Sequence, residues 1–304
     1  MRAYIRGTGS YTPKNIVKNS HFDAIGSSDE WIYDKLGIKE RRISTGETTS
    51  DLAFQAALIA LSDADLTPLD IDLIVLATAT PDRPVPSCAC FVQEKLEATR
   101  AVSFDISAVC SGALFAAATG TQFIESGMYK NVLVIGADTF SNITDWSRRD
   151  AVFFGDGAGA FVLSATEEDK GFLDFDLHTD GRGKEHFTIP SGGSERHTCT
   201  DTIAEGQHFF QMNGKEVFNT AIEVVPQSIH AILKKNNIDI ILITEQAYNK
   251  NNNNPRVSSF TLDAEDNLYI VEEHTVYKYS ASSNYNNKLA VTPENNYGNE
   301  LNQL

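Results

Sequence analysis

The stretch AVSFDISAVCSGALFAAATG, residues 101–120, joins an apolar strand pattern directly to an alanine-rich helix pattern. Residues 101–107 are predicted to form a strand, and a helix is predicted from Cys110 to about Gly127. The small residues after the cysteine permit a tight turn and let the helix pack in a crowded interior. A helix N-terminus offers free amide hydrogens and a positive dipole, which favour a thiolate. The pattern leaves two interpretations of Cys110 open, a nucleophile and a buried, inert thiol.

Strand and helix patterns alternate along most of the chain around this stretch. The predicted strands lie at 3–9, 72–80, 131–138, 171–180 and 238–244, with a glycine-rich entry into another strand at 154–165. The predicted helices lie at 49–64, 87–96 and 214–235. Because buried apolar strand patterns are separated by helix patterns, the sequence predicts an α/β fold with helices on both faces of a central sheet.

The composition changes after about residue 236, where glycine nearly disappears and asparagine becomes frequent. KNNNNP, residues 250–255, is a polar low-complexity break. Residues 258–280 alternate polar and apolar side chains with a period of two, which predicts an antiparallel meander. The final residues are predicted to be frayed or poorly ordered.

The charge balance restricts the partners that the chain can have. Its 304 residues carry a formal net charge of -16, and 41% of them are hydrophobic. So acidic a chain repels nucleic acid and anionic membranes. Without a signal-peptide pattern or an apolar run of membrane-spanning length, a cytoplasmic protein is expected. Basic residues nonetheless cluster locally, at Lys35, Lys39, Arg41, Arg42, Arg148 and Arg149. Such clusters either bind a phosphate or form a solvated face.

The four cysteines do not predict a disulfide framework. Cys88 and Cys90, together with His197 and Cys199, could in principle supply a Cys3His zinc site. Neither spacing matches a zinc motif, and the segment from 86 to 96 has the pattern of a helix whose small residues pack inward. No metal site is therefore predicted.

Several ordered motifs resemble those of one enzyme family. The matching segments are IRGTGSYTP, SSDEWIYDKLGIKERRI, PDRPVPSCACFVQEKL, DISAVCSGALFAAATG, FGDGAGAFVL, HTDGRG and MNGKEVFNTA. Together they resemble β-ketoacyl-acyl-carrier-protein synthase III, of the thiolase-like superfamily, from residue 1 to about residue 238. The resemblance implies a layered αβαβα thiolase-like fold with an incomplete C-terminal half and a divergent tail. The implied divisions are 1–165, an N-terminal half with the nucleophile; 166–245, a partial C-terminal half; and 246–304, an atypical tail.

The resemblance also implies a reaction. An acyl group would pass from coenzyme A to Cys110, and malonyl-acyl carrier protein would then lose carbon dioxide and attack the resulting thioester. The chemistry needs a thiolate and an oxyanion hole, to which the Cys110 amide would contribute. The coenzyme A thioester is a substrate, so no separate cofactor is expected. The family is typically homodimeric, and the helix of Cys110 with the strand at 131–138 matches the region of its interface.

Five further residues are implied to bind the acyl-coenzyme A. Trp31 matches a tryptophan that stacks on the adenine, although core packing is the alternative. Arg149 or its neighbour Arg148 matches an arginine on the other face of the adenine, and the spacing to the FGDG motif leaves the choice open. Phe218 matches an aromatic residue of the pantetheine channel or is a core residue of its helix. Lys35 is placed to meet a phosphate.

Two other catalytic groups of the family have no match in this sequence. The family carries a histidine in P-H-Q-A-N and an asparagine in G-N-T-S, whereas here the predicted strand 238–244 is followed by Glu245. An ionised glutamate is only an acceptor, so it cannot replace an imidazole that donates to an enolate. The sequence therefore predicts impaired condensation. Two alternatives stay open, a non-catalytic ketosynthase-like module and a starter-unit ketosynthase of secondary metabolism.

Overall fold

The computed structural model describes residues 1–236, residue 238 and three strands within the tail. The chain divides into two compact units, Met1–Asn236 and Asn237–Leu304. The divisions predicted at 165 and 245 stay predictions.

The first unit is an alternation of strands and helices. Its strands are β1 (Arg2–Tyr11), β2 (Ile16–Lys18), β3 (Glu40–Arg42), β4 (Leu73–Ala77), β5 (Val102–Ile106), β6 (Asn131–Thr139), β7 (Asp156–Thr166), β8 (Phe187–Thr188) and β9 (Gln211–Met212). Its α-helices are α1 (Asp29–Leu36), α2 (Thr49–Asp63), α3 (Cys88–Leu96), α4 (Gly112–Glu125), α5 (Thr200–Ala204) and α6 (Gly214–Lys235). Each strand and helix predicted between residues 3 and 165 is confirmed within a few residues.

Five strands form the central sheet in the order β1-β7-β6-β4-β5. Strand β4 runs parallel to both β5 and β6, whereas β7 runs antiparallel to β6 and to β1. The residues of β4 are all buried, which agrees with the continuous apolar run in the sequence. Strands β4 and β5 are parallel, and the turn that contains Cys110 follows the end of β5. Cys110 therefore lies at the edge of the sheet where both strands have their carboxyl ends.

Helices cover both faces of this sheet, as predicted. One apolar core joins α2 and α3 to β4, β6 and β7. A second core packs α4 against the opposite face through Ala116, Ile124, Val132, Val134 and Leu163. The described residues therefore contain a three-layer α/β/α unit. The alanine-rich sequence of α4 allows this close packing, since Ala116 and Ala117 are almost fully buried.

One predicted strand is wrong. Residues 171–180 form no strand, although Phe172 makes a backbone hydrogen bond to Ala3. An apolar run becomes a strand only where a neighbouring strand completes its hydrogen bonds, and no described strand pairs with this segment. Its aromatic residues pack instead, with Phe172 stacked on Phe175 at 5.0 Å between ring centroids.

The tail contains a three-stranded antiparallel sheet of β10 (Val257–Leu262), β11 (Leu268–Glu272) and β12 (Thr275–Tyr279). The meander predicted for 258–280 is thereby confirmed. Except for residue 238, the predicted strand 238–244 lies outside the described residues, as do Glu245 and the final residues predicted to be frayed. Within the described part of the chain, no helix combines the length and the apolar character needed to cross a bilayer.

Candidate active site

Cys110 lies in a 3₁₀ turn, Val109–Ser111, that connects β5 to α4. The residue is exposed, and its thiol makes no hydrogen bond to any other described residue. The Ser111 amide donates to the carbonyl of Ala108 at 3.1 Å and the Gly112 amide to that of Val109, so neither of these two amides is free for a ligand. Cys110 is therefore not a buried thiol, and its role as a nucleophile stays a prediction.

The residue before the cysteine has an unusual backbone conformation. Val109 has a φ of +45°, in the left-handed region that β-branched residues rarely occupy. Such a conformation costs about 1–3 kcal/mol and tends to occur at functional sites. The turn also depends on Gly112, where an added Cβ would lie 2.9 Å from the Cβ of Ala77. The strand-to-helix connection is therefore tight and strained at the position of the thiol.

Trp31 lies on α1, a short helix with clear end signals. The side chain of Ser28 accepts a hydrogen bond from the Trp31 amide at 3.2 Å, and Gly37 ends the helix with a φ of +73°. Asp29 and Glu30 occupy the first turn, where their negative charges interact favourably with the positive end of the helix dipole. Trp31 is half-buried and packs at the margin of a small apolar cluster of Phe22, Ile32, Ala151 and Val152.

Arg149 lies against the indole of Trp31, although the two residues are distant in sequence. Its guanidinium carbon is 4.3 Å from the centroid of the Trp31 ring, which is a cation–π arrangement. Arg148 points elsewhere, because its Nε and Nη2 both donate to the carboxylate of Asp150, at 3.0 and 2.6 Å. The hydrogen bond to Asp150 also raises the pKa of Arg148. Of the two candidate arginines, Arg149 is the one that meets Trp31.

The other two candidate binding residues are both exposed. Lys35 is in the last turn of α1, four residues after Trp31. Residues four apart lie on the same face of a helix, so Lys35 and Trp31 share one face of α1. Phe218 lies on α6 and is 49% exposed. It is therefore not a core residue of the described part of the chain.

The basic residues around residue 40 do not share one surface, because Lys35 and Lys39 are exposed whereas Arg41 is buried. Arg41 is only 6% exposed, and its guanidinium contacts the ring of Phe22 at 4.4 Å. Arg42 forms an ion pair with Glu40 at 3.1 Å. By charge alone, Arg41 and Arg42 form one cluster with Lys35 and Lys39. Charge composition does not reveal that alternate residues of the strand β3 face opposite ways. Burial lowers the pKa of Arg41.

The remaining thiols have different environments. Cys88 is fully buried, as predicted, and its burial raises its pKa to about 12. Cys199 is exposed, and hydrogen bonds from Thr202 lower its pKa. Across the described residues, no group of three or more His, Cys, Asp or Glu side chains could hold a metal ion.

The sequence does not reveal the polar contacts that hold α1, which carries Trp31, and the segment that begins at Arg149. Asn19 is 1% exposed and bridges residues near both ends of α1, Asp29 and Ile38. Its side chain also accepts a hydrogen bond from Arg41. Neither residue carries a local signal for this role, since an asparagine and an arginine in polar segments normally lie at the surface.

Comparisons with known proteins point to one family. The family model for 3-oxoacyl-[acyl-carrier-protein] synthase III matches residues 104–181, which include Cys110 and Arg149. A curated β-ketoacyl-[acyl-carrier-protein] synthase III from Desulfitobacterium hafniense is 45% identical over 239 residues, which cover 78% of this chain and 72% of the relative.

Solved structures have the same fold. The 3-oxoacyl-[acyl-carrier-protein] synthase III of Aquifex aeolicus aligns with a TM-score of 0.70 and 40% identity, over 78% of this chain and 73% of that one. The priming β-ketosynthase of the R1128 polyketide biosynthetic pathway aligns with a TM-score of 0.66 and 31% identity, over 74% and 67%. The thiolase-like α/β fold implied by the sequence motifs is confirmed. The chain belongs to the β-ketoacyl-acyl-carrier-protein synthase III family of acyltransferases.

Proposed function

We propose that this chain accepts a short acyl group from an acyl-coenzyme A on Cys110 and offers the thioester to malonyl-acyl carrier protein, the first condensation of fatty acid synthesis. The Cys110 thiolate attacks the thioester carbonyl, and the backbone amide of Cys110 contributes to stabilising the oxyanion that forms. The thiol of coenzyme A is the leaving group. Family membership and the exposed thiol at a helix N-terminus both support the proposal.

The observation that carries the choice of donor is the pair of Trp31 and Arg149. An aromatic face and a planar cation, both accessible to solvent, form a site for a flat heterocycle such as adenine. A base inserted between them needs roughly 7 Å, since each stacked contact takes about 3.5 Å. Arg149 is exposed and must move outward by about 3 Å when the nucleotide binds.

Binding of coenzyme A tests this assignment and separates the two arginines. Arg149→Met should weaken binding about ten-fold, because it removes a planar, charged stacking partner. Arg148→Met should have a smaller effect, since Arg148 is already committed to Asp150. Isothermal titration calorimetry with coenzyme A gives both dissociation constants. A larger loss in Arg148→Met would assign the adenine contact to Arg148 instead.

Lys35 and Phe218 extend the proposed site along the substrate. Lys35 shares the Trp31 face of α1, so its ammonium group can meet a phosphate of a nucleotide stacked on Trp31. Phe218, with half of its side chain exposed, can contact the pantetheine arm. Both assignments rest on the family match and on exposure.

Condensation is expected to be slow in this chain, because Glu245 stands where the family carries a histidine that stabilises the enolate. Loss of one such donor typically costs about 10²–10³-fold in rate. We expect stoichiometric acetylation of the chain by acetyl-coenzyme A, together with 3-ketoacyl product formed at least about 100-fold more slowly than by the Desulfitobacterium hafniense relative. Radiolabelled acetyl-coenzyme A and purified malonyl-acyl carrier protein measure both steps.

The same assay separates the alternatives. A folded chain that takes up no acetyl group would contradict the proposal and favour a non-catalytic module. The likeness to a priming polyketide ketosynthase supports the starter-unit alternative. The rings of Phe140, Phe154, Phe187 and Phe210 form an aromatic cluster. A panel of acyl-coenzyme A donors would support that alternative if a branched or longer acyl group exceeded acetyl.

We also propose that the protein is a cytoplasmic homodimer. The interface cannot use β6 as a pairing edge, because β6 is hydrogen-bonded to β7 on one side and to β4 on the other. Strand β5 is the outer strand beside β4, and Val102 in it is 50% exposed. The expected contact therefore involves β5, directly before the nucleophile turn.

A further inference from the structure

A buried arginine connects the two elements that carry Trp31 and Arg149. The Nη2 of Arg41 donates to Oδ1 of Asn19 at 2.8 Å and to the carbonyl of Val152 at 3.2 Å, while Nη1 donates to the carbonyl of Val17 at 3.3 Å. Val152 belongs to the 3₁₀ segment that begins at Arg149. These acceptors are neutral, and no ion pair joins Arg41 to another described residue.

Asn19 carries the connection on to α1. Its Nδ2 donates to Oδ1 of Asp29 at 2.8 Å and to the carbonyl of Ile38 at 2.6 Å. Asp29 is the first residue of α1, and Ile38 lies just beyond its last residue, Leu36. One side chain therefore fixes both ends of the helix that presents Trp31. Because Asn19 also accepts from Arg41, the two residues form a continuous bridge between α1 and the arginine segment.

Burial of a cation without a carboxylate partner is costly, so the presence of Arg41 at this position calls for a specific role. The ring of Phe22, 4.4 Å away, offsets part of the cost through its π face. Arginine is suited to this position because its planar fork donates in several fixed directions at once. The point charge of a lysine cannot reproduce the same set of contacts.

We propose that Arg41 and Asn19 are positioning residues that set the separation of Trp31 and Arg149 for the adenine nucleotide of a coenzyme A thioester. This inference rests on the proposed function. Neither side chain needs to touch the substrate, since each acts through the backbone or side chain of an element that does. Loss of the bridge leaves α1 and the arginine segment free to shift relative to each other, while the nucleophile turn on β5 and α4 keeps its own support.

The test compares a donor that contains the nucleotide with one that lacks it. In Arg41→Lys we expect coenzyme A to bind about ten-fold more weakly and acetyl-coenzyme A to acetylate Cys110 about ten-fold less efficiently below saturation. Acetylation by S-acetylpantetheine, which has no adenine, should be unchanged. The matched control is Arg42→Lys on the same strand, whose side chain pairs with Glu40 in a partly exposed position and should alter neither donor.

Each outcome decides between roles. Equal losses with both donors would mean that Arg41 only stabilises the fold, and unchanged coenzyme A binding in Arg41→Lys would also overturn the inference. If Arg41→Lys does not fold, Asp29→Ala removes an exposed acceptor of the same bridge and should weaken coenzyme A binding about three-fold. If the unaltered chain is acetylated by neither donor, the proposed function fails, and calorimetric binding of coenzyme A still tests the bridge.

Discussion

Replacement of Cys110 by alanine is expected to abolish acetyl transfer from acetyl-coenzyme A to the chain, a loss of at least about 10³-fold. The reason is that the thiolate itself forms the covalent bond, so no neighbouring group can supply the missing step. Circular dichroism should be unaltered, because Cys110 is exposed and its thiol makes no hydrogen bond within the described residues. Scintillation counting of the precipitated protein measures the transfer.

The matched control is Cys199→Ala. Cys199 is the other exposed cysteine of the first unit, and its pKa is lowered by hydrogen bonds from Thr202, so it is the strongest competitor for non-specific acetylation. We expect this variant to take up acetyl as the unaltered chain does. If the label persisted in Cys110→Ala and disappeared in Cys199→Ala, the nucleophile would be Cys199. That result would contradict the account.

The second large effect is structural and concerns the contact between β1 and α2. Gly9→Ala should reduce the free energy of unfolding by at least about 3 kcal/mol, since overpacking a close contact costs 1–3 kcal/mol and sometimes more. An added Cβ would lie 2.3 Å from the carbonyl oxygen of Ala56 and 2.4 Å from the amide nitrogen of Ala60. Both atoms belong to the helix backbone, which cannot give way as a flexible side chain can. The midpoint of urea denaturation measures the loss.

Gly159→Ala provides the control within the same sheet. Gly159 lies on β7 opposite Ser10, directly beside the pair that Gly9 forms with Ala160. An added Cβ there meets nothing within 4 Å, so the change should stay within about 0.5 kcal/mol. Equal stability of the two variants would contradict the close packing of α2 on β1.

The sequence predicts the centre of the sheet well because β4 and most of β6 are buried on both faces. The apolar run at 72–80 and the alanine-rich run after Cys110 have one compatible structure each, a covered strand and a packed helix. The segment at 171–180 has a similar pattern, yet it forms no strand, because local pattern does not reveal whether a pairing partner is present. The helix α1 was missed although Ser28 and Gly37 carry the capping signals that predict its ends.

The candidate site is predictable only in part, because local sequence patterns do not reveal contacts between distant segments. Cys110 is visible from its strand-to-helix context, and Trp31 with Arg149 from the family motifs. The sequence alone cannot choose between Arg148 and Arg149, whereas the contact to Trp31 and the ion pair to Asp150 distinguish them. The role of Arg41 depends on burial by residues from three separate segments, which no local pattern of charge encodes.

The central claim is that Cys110 of this ketosynthase III family member accepts the acyl group. Peptide mapping by mass spectrometry after incubation with acetyl-coenzyme A tests it most directly. We predict one acetyl group per chain, on the peptide that contains Cys110, and removal of that group by hydroxylamine, as expected for a thioester. An unmodified Cys110 in a folded chain, or acetylation found only on Cys199, would contradict the claim.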